Sequence, residues 1–489
     1  MPSGADYYNA LGLTIDATPE EIRTAYFEAA RRLHPDINPD PKAQELFLQI
    51  QTAYDVLSNP RRRADYDAGL PAGLRARPDI SLNVKYSRPA VPAIGEAQLF
   101  YVLLDLTCTA ELDTTRTPPV NLCLVIDRST SMRGERMDMV KANVVQLVRQ
   151  LRPHDVLSLV LFSDRAEVFL PPMRVADISR LESQISMVQC GGATEIFRGL
   201  EAGYSLLTRY GDSRANRHLV LLTDGHTYGD EAPALNLAER AAQENIATSA
   251  LGIGSEWNDV FLDRLTSFSG GNTYLINSAR ELENFFDKKI RGLEVQYAHS
   301  MKLAFQSDPN VLLRYVFRLR PDVGPLPAEH SFSLGSLQYG RSASLLLEFL
   351  VEPLSQGAQE INFMHGQIQL DIPSLTNRAG RILLDIKRPV LSTIELEPPP
   401  PAVIDAISRL TLYRLQEKAH AEVAAGQITD AAQHLQHLAT HLLAQGDRKL
   451  AHTVLMEAEH IQQNHEFSEE GSKRVKYGTR ALLMSPGSE

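Results

Sequence analysis

Cysteine is scarce in this sequence: Cys108, Cys123 and Cys190 are the only three among 489 residues, and no two are neighbours. That spacing excludes a disulfide-stapled scaffold and any Cys-x-x-Cys zinc or redox centre. It fits a reducing compartment, so a cytoplasmic location is expected. Long apolar runs are also missing. The longest, such as Leu345–Leu350 with Glu348 inside it, fall far short of the roughly 20 residues that cross a bilayer, so no membrane partner is expected. The opening Met-Pro-Ser-Gly-Ala-Asp lacks the basic and apolar segments of a secretory leader, and none is expected here. Positive charge is in deficit, with 49 Lys and Arg against 60 Asp and Glu and a net charge of −11. Nucleic acid is therefore not expected as a partner, because binding a phosphate backbone needs clustered cations. Neither a Gly-x-x-x-x-Gly-Lys phosphate loop nor a Gly-x-Ser-x-Gly elbow occurs, and Gly252-Ile253-Gly254 lacks the third glycine of a dinucleotide site.

What is present reads as a multidomain α+β protein. At about 150 residues per domain the length suggests three units, yet the patterning separates four, one of them threaded through another. Residues 1–70 form a helical unit and 71–79 a proline-bounded linker. Residues 80–117 and 296–390 are two parts of one β-sandwich, 118–295 an inserted α/β domain, 400–465 a set of helical hairpins, and 466–489 a tail expected to be poorly ordered at its end.

In the first unit, Thr18-Pro19-Glu20-Glu21 is a capping box with proline at the first helical position. Ile22, Ala25, Ala29 and Leu33 follow at helical spacing, and a second stripe runs through about 42–57. Between them His34-Pro35-Asp36-Ile37-Asn38-Pro39-Asp40-Pro41 cannot be helical and sits at the tip of a hairpin. Together with Asp6-Tyr7-Tyr8, Leu11-Gly12-Leu13, Ala53-Tyr54-Asp55-Val56-Leu57-Ser58 and Tyr66-Asp67, these residues closely resemble a DnaJ-type J-domain over 5–68. The resemblance implies a co-chaperone module that docks on a DnaK-type chaperone through the helix before the loop, here carrying Arg23, Arg31 and Arg32. It would stimulate ATP hydrolysis through His34, Pro35 and Asp36. Phe27 and Glu28 stand where the family commonly has basic residues, so this helix has no net charge.

In the inserted domain, apolar strands at Asn121–Ile126, Val156–Phe162, His218–Thr223, Thr248–Ile253 and Thr273–Ile276 alternate with helices, which predicts a mostly parallel, Rossmann-like sheet. Ligands of such sheets bind at the carboxyl ends of the strands. There the sequence places Asp127-Arg128-Ser129-Thr130-Ser131, Gly191-Gly192-Ala193-Thr194 and Thr223-Asp224-Gly225. One carboxylate and two hydroxyls at alternate positions, with no Cys or His, suit magnesium or manganese. Neutral hydroxyls would leave an open coordination position that an acidic side chain of a protein partner could fill. The combination resembles a von Willebrand factor A domain with a complete metal-ion-dependent adhesion site. That resemblance implies Asp127, Ser129, Ser131, Thr194 and Asp224 as ligands. No general base stands beside the hydroxyls, which argues against an enzyme.

The flanking strands and the stretch Ser336–Leu347 resemble bacterial A-domain proteins of the calcium-activated chloride channel type, without implying channel activity. Beyond Pro398–Pro401, three helical segments look like one tetratricopeptide-type unit and a half, with His434, His437 and His441 on one face and read as solvated surface. The expectation is a non-enzymatic co-chaperone that captures a client through the A domain and recruits a DnaK-type ATPase. The alternative is a scaffold in which the J-domain only anchors.

Overall fold

The computed structural model describes residues 7–11, 13, 17, 19–33, 41–69, 78–112, 118–174, 178–210, 215–227, 229–354, 359–374, 379–392, 397–444 and 446–484. In the first unit three helices each open on a proline, whose fixed φ and missing N–H suit the first helical position. They are α2 (Pro19–Leu33), α3 (Pro41–Leu57) and α4 (Pro60–Gly69), preceded by a single turn, α1 (Tyr7–Ala10). Tyr8, Leu11, Ala17, Ile22, Ile50, Ala53 and Leu57 form the core, and the Tyr26 and Tyr54 rings stack at 4.1 Å. The closing helix is held by polar contacts: Arg63 donates to the Tyr8 hydroxyl, which donates to Asp67, both at 2.8 Å. Thr18 of the capping box, the His34-Pro35-Asp36 loop, the Arg32 side chain and nearly all of the expected linker lie outside the described residues.

The sandwich has two five-stranded sheets. One contains β1 (Ile80–Tyr86), β3 (Gln98–Cys108), β11 (Val311–Arg320), β12 (Gly324–Leu326) and β14 (Ser342–Val351), in the order β1-β3-β14-β11-β12. The other contains β2 (Val91–Pro92), β10 (Gln296–Gln306), β13 (Ser331–Gln338), β15 (Glu360–Asp371) and β16 (Ala379–Leu391), in the order β13-β10-β15-β16-β2. Strand β3 pairs with β14 antiparallel, Leu104 opposite Leu345, so segments on either side of the α/β domain share a sheet. That domain is therefore an insertion. The unusual apolarity of β14 has a direct cause, since both of its faces are covered. Leu345, Leu347 and Phe349 face the sandwich interior, while Leu346 packs with C-terminal helices together with Leu103 and Phe317.

The inserted domain has one six-stranded sheet, ordered β6-β5-β4-β7-β8-β9. Its strands are β4 (Val120–Asp127), β5 (Val156–Phe162), β6 (Ala166–Arg174), β7 (Asn216–Thr223), β8 (Ala247–Ile253) and β9 (Thr273–Ile276). All pair parallel except the antiparallel edge strand β6, which the sequence reading did not contain. Helices α5 (Glu135–Gln150), α6 (Ile178–Ser186), α7 (Ile196–Arg209), α8 (Glu231–Gln243), α9 (Asp259–Ser267) and α10 (Ala279–Glu294) complete it, with a separate apolar core on each side of the sheet. Helix α7 lies close on β4 because Gly203 lacks a side chain. A Cβ there would sit 2.6 Å from Val125 Cγ2 and 2.9 Å from Leu219 Cδ1. Alanine at 203 would add about 1 kcal/mol of helix propensity. The overpacking against two fully buried side chains should cost about 1–3 kcal/mol. Gly203→Ala is thus expected to lower the thermal midpoint of the chain, read by calorimetry.

The C-terminal unit comprises α11 (Pro401–Ala424), α12 (Ile428–Ala444), α13 (Arg448–Asn464) and α14 (Glu469–Met484). Residues 466–484 are not a tail. Within α14, Val475 is fully buried, and Lys473, Lys476 and Arg480 are each less than a tenth exposed. The expected disorder at the very end falls on 485–489, outside the described residues. Lys476 pairs with Asp259 and, at 3.0 Å, with Asp263 of α9. Arg480 holds Asp263 with two hydrogen bonds of 3.0 and 2.8 Å and donates to the Tyr413 hydroxyl. On the sandwich side, Arg414 of α11 makes a two-pronged pair with Glu348 of β14 at 2.7 and 2.9 Å. Helix α14 is thus a clasp between domains: Lys476 and Arg480 meet acids some 217 residues earlier in the chain, Lys473 donates to the Trp257 carbonyl at 2.6 Å, and Arg474 pairs with Glu470 of its own helix.

Candidate functional site

Strand β4 is buried along its whole length between β5 and β7, which brings its last residue, Asp127, to the edge where the loops converge. Asp127 is fully buried. Its Oδ1 accepts the Ser129 N–H at 2.8 Å and its Oδ2 the Thr223 hydroxyl at 2.7 Å. The Ser129 and Ser131 hydroxyls lie 3.0 Å apart, and Ser131 donates to Asp224 Oδ1 at 2.7 Å. Thr194 Oγ1 approaches within 3.4 Å of where a Cβ on Gly225 would stand, which puts it beside Asp224. All five residues singled out in the sequence therefore come together, from three loops at one edge of the sheet.

The loop that carries Thr194 is pinned against the one that carries the serines. Gly191 N donates to Arg128 O at 2.7 Å, and Thr130 donates to Gly192 O from both its N–H and its hydroxyl. Gly192 has φ +94°, and any Cβ there would lie 2.7 Å from Asp164 Oδ1. Glycine at 192 is thus a requirement of the close approach and of the left-handed backbone.

Burial pushes the Asp127 carboxyl up from its ordinary 3.8 to about 6, against the hydrogen bonds from Thr223 and Ser129 and with the nearby Asp224 charge adding to the rise. Two buried carboxylates facing one loop cluster favour positive charge beside them, which Arg136 supplies to Asp224 and no side-chain cation in direct contact supplies to Asp127 among the described contacts. The donor set, two carboxylates and three hydroxyls, fits a small hard divalent ion and offers nothing to zinc or copper. Among the described residues no group of three or more His, Cys, Asp and Glu could hold a metal, so an ion here would depend on the hydroxyls. His434, His437 and His441 lie on α12, where His434 is half-buried and the other two are exposed. His434 contacts Glu422 at 2.8 Å, a carboxylate partner that the sequence reading did not assign to it.

Two contributors were missed. Thr223 was read only as part of Thr-Asp-Gly, yet its hydroxyl fixes Asp127. Arg136, in the first turn of α5, places its guanidinium on Asp224 Oδ2 and lies 3.6 Å from Glu256. A cation at a helix N-terminus opposes the helix dipole, and its partner here lies 88 residues away in the chain. At the other end of the chain, Arg23 and Arg31 are exposed on α2. Arg23 packs over the Phe27 ring at 5.8 Å, and Phe27 is itself 55% exposed.

Family comparisons match residues 6–67 to the DnaJ domain and 121–288 to the von Willebrand factor type A domain. The chain carries a DnaJ domain and a von Willebrand factor type A domain. A third match, to the Sll0103-like C-terminal alpha-helical domain, covers 401–485 and includes α14. The J-domain is 52% identical over 69 residues to the chaperone protein DnaJ of Leifsonia xyli subsp. xyli, which is 14% of this chain and only 19% of that protein. The rest of DnaJ has no counterpart in that match. A relative over a longer stretch is the uncharacterized protein sll0103 of Synechocystis sp., 26% identical over 386 residues, covering 76% of this chain and 90% of that one. Among solved structures, a von Willebrand factor type A protein from Catenulispora acidiphila superposes with a TM-score of 0.64 at 18% identity, covering 83% of this chain and 97% of that one. The ArnB paralog VWA2 of Sulfolobus acidocaldarius follows at 0.51 and 15%, covering 84% and 100%. At these identities the likeness is one of fold. No helix among the described residues is long and apolar enough to cross a membrane.

Proposed function

We propose that this protein is a client-directed co-chaperone, in which the A domain captures a protein partner through a bound divalent cation and the J-domain brings that partner to a DnaK-type chaperone. The observation that carries the first half is the convergence of two buried carboxylates and three hydroxyls from three loops. Asp127, Ser129, Ser131, Thr194 and Asp224 would hold magnesium or manganese, which supplies a Lewis-acid position for an acidic side chain of the partner. The residues themselves set the geometry: Thr223 and the Ser129 N–H orient Asp127, and Ser131 orients Asp224. The second half rests on the J-domain match and on His34, Pro35 and Asp36. ATP hydrolysis would belong to the recruited chaperone.

The full chain is expected to raise the steady-state ATPase rate of the host's DnaK-type chaperone several-fold, and His34→Gln to bring it back to the basal rate. The readout is phosphate release. Absence of stimulation by the unaltered chain would refute recruitment. It would favour the scaffold reading, for which the exposed Phe27 between Arg23 and Arg31 is the motivating feature.

A further inference from the structure

Arg136 is the cation nearest to the metal-site carboxylates in the described structure, and three features fix it there. Its guanidinium bonds Asp224 Oδ2, the oxygen left free by Ser131 on Oδ1. Glu256 stands 3.6 Å away, 60% exposed, as a second seat for the same guanidinium. Gly254, at the end of β8, is bare and left-handed (φ +72°), and a Cβ there would come within 3.2 Å of the guanidinium. The Gly252-Ile253-Gly254 stretch, unexplained as a nucleotide motif, therefore has a structural use. Gly254 leaves room for Arg136, and Gly252 leaves room for the Trp257 indole, whose N–H donates to Gly254 O at 2.9 Å.

We propose that Arg136 is an internal counter-ion that competes with the divalent cation for Asp224 and thereby makes metal and anionic partner bind cooperatively. This rests on the metal-site reading above. Without the cation, Arg136 neutralises Asp224. A metal ion must displace that pairing, so its affinity alone is held down. Once the metal takes up the charge of both carboxylates, the guanidinium, only partly offset by the 60% exposed Glu256, leaves an excess of positive potential beside the open position. An anion on the open position then offsets that charge, and a neutral ligand does not. By linkage, whatever anion is strengthened by the metal strengthens the metal in return. Glu256 favours metal binding by offering Arg136 its alternative seat. Arg136 is thus a positioning and specificity residue, acting through Asp224.

The test is titration of the full chain with Mn2+ by calorimetry, with acetate as the carboxylate probe and chloride at equal ionic strength as control. Arg136→Gln is expected to bind Mn2+ about tenfold tighter, given one positive charge removed at contact distance from a ligand and partly screened by solvent. Glu256→Gln is expected to bind it about threefold weaker, and to have no effect in the Arg136→Gln background. Acetate should tighten Mn2+ binding in the unaltered chain and not in Arg136→Gln, with Arg136→Lys intermediate. A purely structural arginine would not produce opposite signs or lose the coupling. Normal Mn2+ binding with unchanged affinity in Arg136→Gln would overturn the counter-ion and leave the metal site standing. Failure of the unaltered chain and of Arg136→Gln to bind Mn2+ at all would overturn both. Gly254→Ala, which crowds the guanidinium without removing charge, checks that the effect needs this seat, and an affinity for Mn2+ equal to that of the unaltered chain would count against it.

Discussion

Asp127→Ala is expected to abolish magnesium-dependent capture of a protein partner while the A domain stays folded. The carboxylate is one of two among the five proposed ligands, so its loss should weaken cation binding roughly a hundredfold or more. The structural cost is smaller. The Ser129 N–H and the Thr223 hydroxyl lose an acceptor, about 1–2 kcal/mol. Against this, a carboxylate whose burial has pushed its pKa up to about 6 no longer has to be held charged without a cation. A pull-down from host lysate in magnesium or in chelator, with a circular-dichroism melt alongside, separates the two effects. Capture that survives both chelator and Asp127→Ala would refute a bridging cation.

Asp263→Ala is expected to be the most destabilising single change at the domain junction. It leaves Lys476 and Arg480, each with a side chain only 10% exposed, without their shared acid. Stranding buried charge in this way costs about 3 kcal/mol, roughly a hundredfold in the folding equilibrium. The pair also has a pH signature. Burial raises the Asp263 carboxyl, and the attraction of Arg480 and then Lys476 outweighs it, taking the group from 3.8 to about 2. A carboxylate with a folded value below its unfolded one stabilises fully above the unfolded value. Its contribution is lost as pH falls through the folded one. The unaltered protein should therefore lose stability between about pH 4 and pH 2, and Asp263→Ala should lack that component. Urea titrations across this range test it. Equal pH slopes for the two proteins would show that the clasp contributes nothing.

Those two sites differ in how far they can be read in the chain itself. The metal-site residues sit in short stretches at strand ends, Asp127 with Ser129 and Ser131 within five residues. A local pattern on a strand of recognisable apolarity was enough to place them. The J-domain helices were equally legible, because each carries its own stripe and a proline start. The clasp was not legible. Lys473, Lys476 and Arg480 look like a basic tail until α9 is folded beside them, and the acids of Lys476 and Arg480 lie more than two hundred residues away. Arg136 was hidden for the same reason, since its partner Asp224 is 88 residues distant. Strand β6 escaped because Pro171 and Pro172 and a half-exposed pattern do not advertise a strand, and an edge position tolerates both. The sandwich was inferred from the lack of a sheet for β1 and β3 to join; β1 pairs with β3, and β3's other partner, β14, lies on the far side of the insertion.

The insertion also has a mechanical consequence. If a client is held at the proposed metal site, tension on it would enter the sandwich along two covalent routes at once, through the end of β3 and the start of β10, where Cys108 and Tyr297 share one core. Two tethers in parallel divide a load and forbid the swinging that one tether permits. The clasp of Lys476 and Arg480 on Asp259 and Asp263 adds a third restraint. A chaperone pulling on the far end of such a protein would drag client, A domain and sandwich as one body, so the force would reach the client's own fold without being spent in a hinge.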